Sequence, residues 1–197
     1  YTKGEKTMKK IYQIISITLA LVILASCSGS KEELSVHEKI KEEKKITVAV
    51  SPDYVPYEFL DLSKKGQEQF VGADIELARY IAKNLDAELE IKAMDFGDIP
   101  SAIARKRFDI GISGFTYSED RAKQVDFSKS YDNSESTCQG FLIRKADEKQ
   151  YQSLGDFENK NIAVQNGSLQ QTYLKKQFPS NKERLAKKLD DAVLELK

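Results

Sequence analysis

The sequence has few of the residues that build metal centres and nucleophilic centres. Its 197 residues include one histidine and two cysteines, Cys27 and Cys138. Structural zinc normally takes four ligands, so these three side chains cannot form such a site. The single histidine, His37, lies in a charged stretch, where no third group would orient it as the base of a Ser-His-Asp or Cys-His centre. We therefore expect no metal, no cofactor and no triad chemistry.

Glycine, proline and an excess of one charge are also scarce. Ten glycines and four prolines, with 40% hydrophobic and 31% charged residues, argue against collagen-like and wholly disordered chains. The 31 basic and 31 acidic residues cancel. Residues 1–26 hold four of the basic and one of the acidic residues, so the remainder carries 27 against 30, a net charge of −3. No basic block lies outside residues 1–26, and we expect no nucleic-acid partner.

Residues 1–26 have the pattern of a secretory signal peptide. A basic start follows Met8, the predicted true start, and the nearly continuous apolar run at 11–25 is too short for a comfortable membrane span. The run leads to Cys27 in a segment that resembles the lipobox of bacterial lipoproteins. The resemblance implies a diacylated Cys27 that anchors the protein on the extracytoplasmic face of the cell membrane. The alternative is an ordinary signal peptide with a cysteine at this place by chance.

Residues 27–45 are interpreted as a lipidated cysteine followed by a charged tether. Ten of the fifteen residues from 31 to 45 are charged. A helix is possible here, but the i,i+4 pairs Glu38–Glu42 and Lys41–Lys45 bring like charges together and destabilise it, although Glu38–Lys41 at i,i+3 helps a little. We expect a solvated tether here. The folded part then comprises a first lobe at 46–134 and a partial second lobe at 135–197.

Apolar periodicity predicts alternating strands and helices. Strand, helix, strand, helix and strand in succession imply a parallel sheet covered by helices, an α/β fold. The first lobe should contain strands at 46–50, 88–94 and 108–113, helices at 73–85 and 99–105, and a hairpin at 58–71. The second should contain strands at 137–144 and 161–165, a helical turn at 153–157, and helices at 168–177 and 189–196. No strand completes the last helix, and we predict that the chain is truncated at its C-terminus.

Six segments, in order, resemble one family. They are similar to motifs of the polar amino-acid binding proteins of ABC importers, solute-binding protein family 3, and lie at 50–59, 70–78, 94–100, 108–121, 124–128 and 162–168. The resemblance implies a two-lobed, periplasmic-binding-protein-like (type II) clamshell that closes by hinge motion. Its second lobe and its return to the first lobe would be incomplete here. The implied function is a monomeric, lipid-anchored receptor that delivers a free polar amino acid to an ABC transporter permease.

The carboxylate of an amino acid favours a bidentate guanidinium and free backbone N–H groups. The resemblance assigns the guanidinium to Arg121, since arginine matches the planar geometry of a carboxylate. The alternative is a surface ion pair of Arg121 with Glu119 or Asp120.

Further ligand contacts are expected on both sides of the cleft. On the turn before Arg121 they are Ser113, Gly114 and Thr116, and we expect N–H groups of this turn to point outward. The alternative for the two hydroxyl residues is ordinary turn chemistry. On the second lobe, Ser168 caps a helix whose positive end, with the N–H of Leu169, faces the carboxylate.

The side chain of the ligand should meet a wall of aromatic and polar groups. The resemblance places Tyr54 and Phe96 around its carbon chain, and Gln165 at a strand end that contacts it. The alternative for the two aromatic residues is core packing. Ser51 lies where relatives that bind basic amino acids carry an aspartate, which disfavours lysine or arginine as ligand. The acidic group that would bind the ammonium lies beyond residue 197 in the family pattern.

Two other functions are compatible with the sequence. The first is an enzyme on the same fold, similar to cyclohexadienyl dehydratases, with a cleft carboxylate such as Glu58 as its candidate catalytic group. No catalytic motif supports it, and we predict that the chain is not an enzyme. The second is a truncated remnant that binds nothing, for which the absence of cooperative unfolding would be evidence.

Overall fold

The computed structural model describes residues 34–132 and 139–196, and its first half is built on a parallel sheet. Strand β1 (Lys45–Val50) lies between β5 (Glu88–Ala93) and β6 (Ile110–Gly111). Val48 is opposite Ile91 on one side and Ile110 on the other. The β-branched run of β1 is therefore the buried centre of the sheet, as its sequence predicts. The strand predicted at 108–113 is shorter, since only two of its residues pair.

Helices α2 (Ala73–Asn84) and α3 (Ile99–Ala104) form as predicted. The apolar stripe of α2, at Ile75, Ala78 and Ala82, joins the core around β1 because these residues recur at helical spacing. Gly72 precedes α2 with φ +121°, and a Cβ there would lie 2.2 Å from a backbone oxygen of the neighbouring loop. Only glycine fits at this junction.

The predicted hairpin is also present and has one more strand than expected. Strand β3 (Glu58–Leu60) pairs antiparallel with β4 (Phe70–Val71), and a 3-10 turn at Gly66–Gln69 precedes β4. A third strand, β2 (Asp53–Tyr54), pairs with the other edge of β3. This short strand has no sequence signal, because two residues cannot establish an alternating pattern.

The tether prediction is wrong from Val36 onward. Residues Val36–Glu43 form helix α1, in which Ile40 is 3% exposed and packs into the core around β1. The side chain of Lys39 pairs with Asp109, with 3.0 Å between nitrogen and oxygen. This burial and this ion pair compensate for the like-charge neighbours within the helix. The signal peptide at 1–26 and Cys27 lie outside the described residues.

The second half has a small parallel sheet of its own. Strand β7 (Asn161–Gln165) pairs in parallel with β8 (Lys182–Ala186), connected by helix α5 (Leu169–Gln177). Helix α6 (Leu189–Leu194) follows β8. Strand β7 and both helices match the predictions, but β8 was not predicted because its first three residues are charged.

The strand predicted at 137–144 is wrong over its described part. Residues 139–144 form no strand, and 137–138, which include Cys138, lie outside the described residues. Phe141 instead stacks on Phe157 with 4.1 Å between ring centroids and meets Phe178 edge to face. An aromatic contact thus replaces the expected strand ladder. No helix within residues 34–132 and 139–196 is long and apolar enough to cross a membrane.

Candidate functional site

Arg121 lies in a short helix where the two halves of the molecule meet. Helix α4 (Glu119–Ala122) begins after Ser118, whose hydroxyl accepts the Arg121 N–H at 3.3 Å. The side chain is only 9% exposed. Its Nη1 donates to the Thr116 carbonyl at 2.8 Å, and its Nη2 donates to the Gly167 carbonyl at 3.0 Å. The guanidinium therefore connects α4 with the loop before α5.

The charge of Arg121 has no carboxylate partner among the described residues. Both of its side-chain hydrogen bonds go to carbonyls, and neighbouring Asp120 pairs with Lys123 instead. Burial lowers the pKa of Arg121, but a guanidinium remains charged at neutral pH. Its Cζ lies 5.4 Å and 5.1 Å from the ring centroids of Phe96 and Phe115. A buried cation with only carbonyl and aromatic neighbours is a favourable environment for an anion.

The first turn of α5 lies beside this guanidinium. Ser168 caps the helix, with its hydroxyl accepting the Gln171 N–H at 3.1 Å, as its sequence position predicts. Gly167 has φ +74°, and a Cβ there would lie 2.6 Å from the Gly97 Cα. The close approach of these two glycines brings the positive end of α5, with Ser168 and Leu169, next to Arg121.

The turn at 113–116 is bonded differently from the expectation. The Ser113 hydroxyl is buried, donating to Glu58 and accepting the Ser51 N–H at 3.0 Å. The Gly114 N–H donates to Asp74 at 2.9 Å, so it points inward rather than outward. The reason is the buried carboxylate beneath the turn, which the sequence did not reveal. Thr116 is exposed and offers its carbonyl to the guanidinium.

Aromatic rings line the site in two stacked pairs. Tyr54 stacks on Tyr57 with 5.0 Å between centroids, and its ring lies against Gly114. Phe96 stacks on Phe115 with 4.5 Å between centroids. Phe115 was missed by the sequence analysis, although it lies directly between two predicted site residues. The structure thus places Tyr54 and Phe96 next to the turn and the guanidinium.

Asp53 is a second residue that the sequence analysis missed. Its Oδ2 accepts the Leu189 N–H at 2.7 Å and lies 3.4 Å from the Gln165 side-chain nitrogen. Its Oδ1 accepts the Ser51 hydroxyl at 3.1 Å. Burial raises the pKa of Asp53, and nearby Asp190 adds to the effect. An acidic residue in a loop bounded by Pro52 and Pro56 was the sequence signal that could have identified Asp53 as a site residue.

Residues 46–197 match the family model of the bacterial extracellular solute-binding proteins, family 3. The chain belongs to this family. It is 34% identical over 183 residues to the arginine-binding extracellular protein ArtP of Bacillus subtilis (strain 168), covering 92% of this chain and 65% of that protein. It is 30% identical to the ABC transporter arginine-binding protein 1 of Escherichia coli (strain K12), covering 78% of this chain and 59% of that protein. The chain therefore spans less than two thirds of these curated relatives.

Solved structures support the same assignment. An amino acid ABC transporter substrate-binding protein from Streptococcus pneumoniae, bound to L-arginine, superposes with a TM-score of 0.71 at 33% identity, covering 83% of this chain and 66% of that chain. The ancestral amino acid-binding protein AncCDT-1, a precursor of cyclohexadienyl dehydratase, gives 0.71 at 27% identity, covering 82% and 69%. The α/β, type II periplasmic-binding-protein fold of this family member is confirmed. The relatives named above are binding proteins, as the sequence analysis expects of this chain.

Proposed function

We propose that this family member binds an α-amino acid outside the cytoplasmic membrane, with L-arginine as the first candidate, and delivers it to an ABC transporter permease. The observation that carries the proposal is the buried guanidinium of Arg121, which no carboxylate of the described residues neutralises. An amino-acid carboxylate would accept hydrogen bonds from this guanidinium and from the first turn of α5. Tyr54, Phe96 and Gln165 would contact the rest of the ligand.

A basic ligand is supported by the relatives and by Asp53. ArtP is an arginine-binding protein, and the structure of the pneumococcal protein contains bound L-arginine. The serine at position 51 disfavours such a ligand, but the carboxylate of Asp53 lies 3.1 Å from the Ser51 hydroxyl. Asp53, two residues after Ser51, can therefore supply the negative charge that relatives carry at position 51. Burial raises the pKa of Asp53, so a positive ligand group there would be stabilising.

The test of this proposal compares arginine with its neutral isostere. Calorimetric titration of the purified chain should show L-arginine bound about 10-fold or more tightly than L-citrulline, since only arginine carries the side-chain charge. Asp53→Asn should weaken arginine binding by about 10-fold and change citrulline binding by less than about 3-fold. Asp61→Asn, in the exposed hairpin turn, is the matched control and should change neither.

Two outcomes would refute parts of the proposal. Equal affinity for arginine and citrulline would exclude the assignment of a basic ligand. Failure to bind any of the twenty amino acids at millimolar concentration would exclude the receptor function of this chain, since a ligand at a hundred times its Kd raises the free energy of unfolding by about 2.7 kcal/mol.

We also propose that the receptor is held at the membrane through a lipid on Cys27. The lipobox-like segment supports this, and diacylation would supply enough apolar surface for stable anchoring. In a bacterial host, Cys27→Ser should move the protein from the membrane fraction to the soluble fraction and abolish incorporation of labelled fatty acid. Cys138→Ser is the control and should leave both unchanged. Unchanged labelling of the Cys27→Ser variant would exclude this anchor.

A further inference from the structure

Two acidic side chains are buried beneath the turn that leads to Arg121. Glu58, on β3, and Asp74, in the first turn of α2, are each 1% exposed. Neither side chain belongs to the proposed binding site for the ligand carboxylate. Two acids in the interior of a lobe are costly unless every oxygen is satisfied.

One oxygen of each acid holds the turn. Glu58 Oε1 accepts the Ser113 hydroxyl, and Asp74 Oδ2 accepts the Gly114 N–H at 2.9 Å. The Tyr131 hydroxyl also donates to Asp74 Oδ2, at 3.2 Å. The other two oxygens, Glu58 Oε2 and Asp74 Oδ1, are buried and have no donor among the described residues. Two ionised carboxylates would leave both of these oxygens unsatisfied next to each other.

A single proton between the two acids would give these two oxygens a hydrogen bond. Burial, and then a hydrogen bond between the Glu58 and Asp74 side chains, raise the pKa of Glu58 to about 10. Such a bond requires that one of the two acids carry a proton, because an ionised carboxylate only accepts hydrogen bonds. Among the described residues, Asp53, Tyr57 and Tyr131 are titratable side chains that interact with the pair, and none of them can carry a positive charge. No cation from these side chains competes with the proton.

We propose that Glu58 and Asp74 share one proton, and that this pair positions the Ser113–Gly114 turn for ligand binding. The pair connects β3, α2 and the end of β6 through bonds to a hydroxyl and an N–H of that turn. Neither acid touches the ligand in this scheme, so both are positioning residues. The effect on ligand affinity rests on the proposed function, whereas the shared proton and the ordered turn can be measured on the ligand-free chain.

Two substitutions at one position separate the hydrogen bonds from simple packing. In Glu58→Gln, the amide N–H replaces the acid proton toward Asp74, and the amide oxygen still accepts the Ser113 hydroxyl. Glu58→Leu has a similar size but can make neither bond. It leaves Asp74 Oδ1 without a donor and the Ser113 hydroxyl without an acceptor in the interior.

The ligand-free measurements test the pair itself. At pH 8, infrared difference spectra between the wild-type chain and Glu58→Gln should show a carboxylic acid band that only the wild-type chain has. The Gly114 amide should exchange its hydrogen slowly in the wild-type chain and in Glu58→Gln, and at least about 10-fold faster in Glu58→Leu, where the acceptor is no longer held. Absence of the acid band, or fast exchange in Glu58→Gln, would overturn the proposal.

The affinity measurement tests the positioning role. Glu58→Gln should bind L-arginine within about 3-fold of the wild-type chain, and Glu58→Leu should bind about 10-fold or more weakly. Equal loss in both variants would overturn the role of the donor bond. If Glu58→Leu fails to fold, the Glu58→Gln spectra, exchange and affinity decide. If no chain binds any amino acid, the proposed function fails, and the ligand-free measurements still decide the pair.

Discussion

Replacing Arg121 with alanine should reduce the affinity for an amino acid by about 100-fold or more. Hydrogen bonds to charged groups contribute about 1.5–3 kcal/mol each, and a guanidinium can offer two of them to one carboxylate. Arg121 is buried and has no carboxylate partner among the described residues, so its charge is not already compensated. A ligand carboxylate should then depend on it more than on the side chains of the turn at 113–116. Calorimetric titration with L-arginine measures the loss.

Two further substitutions make this result specific. Arg121→Lys keeps the positive charge but loses the planar fork, and we expect an intermediate loss of about 10-fold or more. Arg144→Ala removes an exposed arginine that pairs with Asp147 and should leave binding unchanged. Thermal unfolding of each variant checks that the fold is retained. A folded Arg121→Ala chain with wild-type affinity would show that the carboxylate binds elsewhere.

The stability of the wild-type chain should fall with rising pH relative to the Glu58→Gln variant. The pKa of Glu58 is raised to about 10 in the folded chain, while an unfolded glutamate ionises near its ordinary value of about 4.3. Between these values, folding takes up a proton. The free energy of unfolding therefore decreases with pH, by at most about 1.4 kcal/mol per pH unit for one proton. Glutamine cannot titrate, so the variant lacks this contribution.

Urea unfolding of both chains between about pH 5 and pH 9 measures the difference. The advantage of Glu58→Gln should grow steadily over this range. Glu90→Gln is the matched control, because hydrogen bonds to Lys45 and Lys92 lower the pKa of Glu90 to about 2. The contribution of Glu90 is lost only as the pH falls below its ordinary pKa, so its difference from the wild-type chain should be flat over the same range. A flat difference for Glu58→Gln would mean that this acid is ionised in the folded chain.

The parts of the fold with strong local patterns could be predicted from the sequence. The β-branched run of β1 and the apolar stripe of α2 can be recognised in the sequence, because burial produces a characteristic pattern of apolar residues. Helix α1 and strand β8 could not be predicted, since both are rich in charge. Their stability depends on contacts with other parts of the chain, such as the burial of Ile40. In the described part of the strand expected at 137–144, residues 139–144, Phe141 packs on other aromatic rings instead.

Some residues of the candidate site could likewise be predicted from the sequence, and others could not. Arg121 and Ser168 were selected by spacing and by resemblance, and the structure brings them to the same place. Asp53 and Phe115 are next to predicted site residues in the sequence, but their contacts with Gln165 and Phe96 arise only when distant segments meet. The inward bonds of Ser113 and Gly114 were missed for the same reason, since their acceptors are 55 and 40 residues away.

By itself, the sequence determined the family, the α/β order of elements and the arginine on which the proposed carboxylate site depends. These follow from local patterns and from motifs that keep their order along the chain. Only the tertiary structure decided that Arg121 is buried without a counter-ion, that Asp53 reaches the second half, and that Glu58 and Asp74 meet beneath the turn. Each of these depends on desolvation and on short distances between remote residues, and a linear pattern contains neither.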